Sequence, residues 1–312
     1  MKRVKNIIKK IVDKLRLVFD ISISRELTIA SNSKVYKHIA KEWTFVRPKD
    51  TKLAVVIHLF YVDSWPLFLS KLANLGSFKF DIFITMPVSN AYFIKEIKKS
   101  YPKANVITVP NQGRDVLPFI QVAKELSESG YESVLKLHSK KSTHRDDGQE
   151  WLNDMLESLL PQSQDMIDDI INKLSNKETG VIGPEGVYYP LTVNFPANGK
   201  HMTKVIEKLY DNHLAYEYLQ LKRADYGFFG GTMFWVRLDA IDNLLDFPVR
   251  CFETETGQVD GTFAHALERL FCVVVEIDKK NNYEITKKGV VNRPYRSINI
   301  PEWSDLYLKD KL

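Results

Sequence analysis

Leu53-Ala54-Val55-Val56-Ile57-His58-Leu59-Phe60 is an almost unbroken run of apolar, strand-forming residues. Such a run predicts a strand buried on both faces, as in a parallel sheet covered by helices. The pattern that follows repeats the theme. Ser64–Leu75 places Leu67, Phe68, Leu72 and Leu75 at helical spacing, and Gly76 can end the helix. Phe80–Thr85 reads as a second strand, Ala91–Lys99 as a helix and Asn105–Val109 as a third strand. Val116–Ser129 is a helix closed by Gly130, and Ser133–His138 is a fourth strand. A β-α-β-α-β-α-β alternation with short connections requires a parallel sheet with right-handed crossovers. The fold class is therefore α/β, with a parallel sheet flanked by helices over this stretch.

Downstream the pattern loosens. Helices are expected at Glu150–Leu160, Gln164–Leu174, within Met202–Leu221, at Asp239–Leu245 and at Val259–Leu270. A buried strand opens at Gly180, Tyr226–Arg237 reads as a strand pair bent at Gly230-Gly231, and Cys272–Ile277 reads as a strand. From residue 280 the chain reads as a basic, then aromatic tail. Hydrophobic residues make up 44% of the 312, enough for a sizeable core and too many for a disordered chain. The net charge of +5 is spread among acidic residues and gives no footprint for nucleic acid. Cys251 and Cys272 are too few and too far apart for a Cys-rich metal site, and they read as reduced core residues of a cytoplasmic protein.

No apolar run reaches the length of a membrane span. Residues 1–25 instead predict a basic amphipathic helix. Val4, Ile7, Ile8, Ile11, Leu15 and Val18 form one face, and Lys2, Arg3, Lys5, Lys9, Lys10, Lys14 and Arg16 fill the other. It suits either an anionic membrane surface or packing against the domain.

Four clusters carry candidate chemistry. In Asn111-Gln112-Gly113-Arg114-Asp115, a loop between the third strand and a helix, Arg114 suits bidentate contact with a phosphate. Asp115 suits either a helix cap or a sugar hydroxyl. The fourth strand ends in His138-Ser139-Lys140-Lys141-Ser142, cations and hydroxyls that suit a diphosphate. Gly231 and Trp235, in Gly230-Gly231-Thr232-Met233-Phe234-Trp235, suit close approach of a ligand and stacking on a sugar, or simply a turn and core. In Glu253–Arg269, Asp260 is a candidate helix N-cap and a candidate general base, with Glu255 next in line. His265 and Arg269 share a helical face, and His265 equally suits packing. No G-x-S-x-G, G-x-x-x-x-G-K-[ST], H-E-x-x-H or C-x-x-C motif occurs.

At these clusters the chain resembles the rhamnan synthesis protein F family of glycosyltransferase-like proteins. The matching stretches run in order: His58-Leu59-Phe60-Tyr61, Asn111–Phe119, Lys136–Ser142, Gly231–Arg237 and Gly257–Arg269. The layout is also similar to the GT-A glycosyltransferase fold, which implies an α/β, Rossmann-like architecture with a mixed, mostly parallel sheet flanked by helices. That likeness implies a nucleotide-sugar half over 50–145, an acceptor and catalytic half over 146–295, and a tail over 296–312. The resemblance implies an inverting transfer, most plausibly of L-rhamnose from dTDP-rhamnose, onto a lipid-linked cell-surface polysaccharide at the inner face of the membrane. His58, Tyr61, Arg114 and Asp115 would line the nucleotide pocket, and His138, Lys140 and Lys141 would hold the diphosphate. Asp260 would act as base, with His265 and Arg269 near donor or acceptor. In the GT-A fold the fourth strand usually ends in a metal-binding Asp-x-Asp. Here His138-Ser139-Lys140 stands in its place, which implies a metal-independent reaction with no cofactor. The alternative is a glycan- or membrane-binding module without catalysis.

Overall fold

The structure is a computed structural model that describes residues 51–139 and 148–292. Apart from Pro248–Cys251, these form one compact unit. The expected N-terminal helix, Lys140, Lys141 and the tail over 296–312 lie outside the described residues.

An eight-stranded sheet organises this unit. Its strands are β1 (Leu53–His58), β2 (Asp81–Pro87), β3 (Asn105–Val109), β4 (Ser133–His138), β5 (Thr179–Pro184), β8 (Phe234–Arg237), β9 (Asn281–Thr286) and β10 (Gly289–Asn292). Two short strands, β6 (Tyr188–Pro190) and β7 (Gly227–Phe229), pair apart from it. The order is β3-β2-β1-β4-β8-β5-β9-β10. β3, β2, β1 and β4 run parallel, β8 runs antiparallel to both its neighbours, β5 and β9 are parallel to each other, and β10 turns back. The sheet is therefore mixed, mostly parallel and Rossmann-like, as the likeness in layout implied.

Helices cover both faces. α1 (Trp65–Leu72) and α2 (Ile94–Ser100) cross between the first three strands, and α3 (Val116–Glu128) returns the chain to the far side of β1. α4 (Gly148–Leu159) and α5 (Gln164–Ser175) follow β4, and α6 (Phe195–Leu209) and α7 (Asn212–Tyr216) lie between the two small strands. α8 (Phe263–Ile277) packs its buried stripe beside α3, where Phe119, Phe234 and Phe271 meet edge to face. These aromatic pairs add to the area that burial removes from water.

Several expectations from the sequence are corrected. The helix expected over 259–270 starts at Phe263 and continues to Ile277, so Cys272–Ile277 is helix and not strand. Its apolar residues are continuous because this helix is buried almost all round, and short apolar runs do not distinguish strand from buried helix. Its cap is Thr262, not Asp260. Thr262 Oγ1 accepts from the His265 backbone N–H, and His265 Nδ1 accepts from the Thr262 N–H, a reciprocal capping box. Asp239–Leu245 forms two 3-10 turns rather than a helix. The supposed tail from 280 begins with β9 and β10, a hairpin at the sheet edge turned through Lys287-Lys288-Gly289. Cys251 and Cys272 are free thiols, and Cys272 is buried. Among the described residues no helix is long and apolar enough to cross a membrane.

Candidate functional site

The strand order reverses between β1 and β4, because α3 carries the chain from β3 back across β1. Crevices at such reversals, outside the strands' carboxyl ends, are where open α/β sheets bind ligands. His58 and His138 end the two strands and sit side by side in register. Side chains alternate faces along a strand, so Val56, His58, Lys136 and His138 share one face.

Beneath the two histidines lies a buried ion pair. Lys136 is 1% exposed, and its Nζ donates to the Asp115 carboxylate and, at 2.6 Å, to the Thr232 carbonyl. The ammonium also lies 5.3 Å from the Phe119 ring centroid and 5.7 Å from that of Phe234. Asp115 occupies the N-cap position of α3, yet its side chain makes no cap hydrogen bond and turns to Lys136 instead. Burial alone would raise the Asp115 pKa, but the positive charge of Lys136 holds it well below the usual carboxylate range. His58 is pushed down to about 4, chiefly by burial, with the field of Asp115 opposing and those of His138 and Lys136 adding to it. Its imidazole is therefore neutral at physiological pH, and its Nδ1 shares a 2.9 Å hydrogen bond with Thr85 Oγ1.

The β7–β8 turn is latched to β4 from below. His138 Nε2 donates to the Gly231 carbonyl, and Lys136 takes the next carbonyl, that of Thr232. Gly231 has φ +82°, and a Cβ there would fall inside the Trp151 indole. Its role in the turn is thus conformational. Gly231→Ala is expected to lower stability by roughly 1–3 kcal/mol through strain and overpacking. Urea unfolding at unchanged slope checks this. Trp235 points the other way. It is 0% exposed, and its indole N–H donates to the Leu159 carbonyl at 2.9 Å on the α4 side of the sheet. This places Trp235 in the core and away from the crevice, so it has no open face for a sugar.

The loop before α3 is stitched to the segment before α8. Gln112 bridges Thr254, the Gln112 side chain donates to the Phe252 carbonyl, and Gly113 N–H donates to the Glu253 carbonyl. Arg114 donates to the Gln258 carbonyl and pairs with Glu255, Nε to Oε2, at 3.3 Å. Arg114 itself has φ +56°, a left-handed conformation that a bulky residue holds only under constraint. Two residues past Gln258, Asp260 Oδ2 accepts from Arg269 at 3.0 Å, while its Oδ1 accepts from Asn198 on α6 at 2.9 Å and from Gly261 N–H at 2.8 Å. His265 Nδ1 lies 3.8 Å from Asp260 Oδ1. The Arg269 guanidinium stands 4.9 Å over the Phe228 ring in β7, which leads back to Gly231 and His138.

Three groups thus meet at one edge. His58, His138 and Asp115 surround Lys136; Arg114 pairs with Glu255; and Asp260, His265 and Arg269 cluster with Asn198. Tyr61 joins through its backbone N–H, which donates to Ser139 Oγ at 2.8 Å. Lys136 and Asn198 are additions that the sequence reading passed over. Lys136 had a visible signal, a lone charge in an apolar strand. Asn198 had none, because its partner lies 62 residues away. Among the described residues, no three His, Cys, Asp or Glu side chains are placed to hold a metal ion.

Residues 5–280 match the family described as rhamnan synthesis protein F. The chain is also similar to "Uncharacterized protein WxcX" of Xanthomonas campestris pv. campestris, matched in two strains at 36% identity over 231 residues. The match covers 71% of this chain and 31% of the relative, so the chain spans about a third of the relative's length.

Proposed function

The chain belongs to the rhamnan synthesis protein F family, and from that membership we propose that it transfers a sugar from a nucleotide donor to a growing polysaccharide. Membership points to a role in polysaccharide biosynthesis. The donor we assign is dTDP-rhamnose, the acceptor a lipid-linked glycan at the inner face of the membrane, and the stereochemical course inversion. One observation carries the reading. The strand-end histidines stand at the switch point of a sheet whose first four strands run 3-2-1-4, Asp115 pairs with Lys136 on their face, and the neighbouring Arg114 is tied to the segment that carries Asp260. A single antiparallel strand, β8, separates these from β5, and this layout supports the likeness to the GT-A fold.

In the proposed step an acceptor hydroxyl oxygen attacks the anomeric carbon as the carbon–oxygen bond to the diphosphate breaks. The hydroxyl proton passes to Asp260, with Glu255 the second candidate, and the electron pair leaves on the nucleoside diphosphate. Arg114 is the described cation best placed to meet that charge. A diphosphate arriving there competes with Glu255 for the guanidinium, and bidentate phosphate recognition favours the exchange. His58, neutral and fixed by Thr85, offers its Nε2 side to a polar group of the donor. Lys140 and Lys141, which follow β4 in the sequence, would complete the proposed diphosphate site, and their charge would replace a metal ion.

A panel of nucleotide sugars tests this by calorimetry and by release of nucleoside diphosphate. dTDP-rhamnose should bind and turn over, and turnover should persist in excess chelator. Activity that vanishes with chelator and returns with Mn²⁺ or Mg²⁺ would reject the metal-independent mechanism. A second reading, a glycan-binding module without catalysis, is favoured by the pairing of both candidate bases with arginines. It predicts glycan binding with no turnover of any donor.

A further inference from the structure

Three exposed large apolar side chains lie just past the carboxyl ends of β1 and β2. Val88 is 59% exposed and Tyr92 71%, both in the 3-10 turn Val88–Phe93 that follows β2. Phe60, 38% exposed, follows β1, and the Asn90 side chain ties the two loops by donating to the Phe60 carbonyl at 2.7 Å. Tyr92 begins a stripe that continues into α2, because Lys95 and Lys99 fall three and seven residues on. Between residues 88 and 103 the chain carries four lysines, Lys95, Lys98, Lys99 and Lys103, all exposed, against one carboxylate, Glu96.

Exposed aliphatic and tyrosine side chains backed by lysines have the composition of a surface that beds into lipid headgroups. The tyrosine ring suits the boundary between acyl chains and water, and the lysines suit anionic headgroups. A scattered exposed leucine or valine needs no explanation, but a patch tied together and flanked by one sign of charge does. We infer that Val88, Tyr92 and the lysines of α2 form a docking surface for an anionic lipid bilayer, separate from residues 1–25. It would turn the mouth of the crevice towards the membrane. The inference does not require the transfer reaction, which nucleotide-sugar binding tests by a different measurement.

The test is co-sedimentation of the full chain with phosphatidylcholine vesicles, with and without phosphatidylglycerol. Wild type should bind the anionic vesicles and lose binding in high salt. Val88→Ser with Tyr92→Ser should weaken that binding about ten-fold or more. Lys95→Gln with Lys99→Gln should weaken it by roughly five-fold per lysine. Lys287→Gln with Lys288→Gln, in the exposed β9–β10 turn, should leave it unchanged. All these side chains are exposed, so melting temperatures should stay level. If the 88/92 variant sediments like wild type, then either residues 1–25 suffice or the patch serves another partner, and the inference is overturned. Unchanged vesicle binding with a collapse in nucleotide affinity would show a base-stacking platform instead, and would overturn it equally.

Discussion

Asp260→Asn should lower the turnover of sugar transfer by roughly 10²–10⁴-fold, the usual contribution of a general base. Donor affinity should change only a few-fold. Asp260 accepts two hydrogen bonds on Oδ1 and one on Oδ2. A carboxylate oxygen has two lone pairs, so Oδ2 keeps one for an acceptor hydroxyl. Arg269 and Asn198 hold the group in a single orientation, as a base acting at a fixed distance requires. The amide can preserve the acceptor at Oδ1, but it sets an N–H₂ group against Arg269. A melting curve must therefore accompany the kinetics. The informative result is a folded protein that binds donor and does not transfer. Wild-type turnover would remove the assignment, and loss of turnover confined to Glu255→Gln would move the role to that residue.

Lys136→Met should cost the fold about 3–5 kcal/mol, the penalty for leaving one buried charge without its partner. Asp115 would be left with an unpaired charge in a site that burial disfavours, or be driven to take up a proton. Lys136→Met combined with Asp115→Leu removes both charges and should recover much of the loss, because well-packed apolar replacements of buried pairs are often neutral or stabilising. The cycle is read from urea unfolding of the two single variants and the double variant. Equal destabilisation in single and double variants would mean that the Thr232 carbonyl, not the Asp115 carboxylate, is the partner that matters. Acid should expose the same cluster. His58 has a native pKa depressed to about 4, below its unfolded value near 6.5. The unfolded chain then takes up the proton first, and this contribution to stability falls as pH drops from about 6.5 towards 4.

The parallel half of the fold was legible in the sequence because each of its strands is a short apolar run between clear helical spacings. His138 was legible as a strand end, since a polar residue closing an apolar run marks the carboxyl edge, whereas the run Leu53–Phe60 hid that β1 ends at His58. The second half was harder for definite physical reasons. Phe263–Ile277 is buried on nearly every side and so lacks a polar stripe. β9 and β10 alternate weakly and gain definition only when β9 pairs with β5 and β10 folds back on β9. Trp235 looked like a stacking residue because nothing in its neighbours reveals that one position along β8 reverses the face. The pairing of Arg114 with Glu255, 141 residues apart, belongs to the tertiary structure alone.

The place of β8 bears on how the chain is made. β4 borders β1 on one side and β8 on the other, yet β8 is specified by residues 234–237, long after β4 leaves the ribosome. Until then the emerging parallel sheet has a bare, apolar flank with unmet backbone donors and acceptors, the kind of template that recruits other chains. A fragment ending near residue 139 would keep that flank permanently. Solubility should therefore arrive only once the returning strand has been synthesised and has closed it.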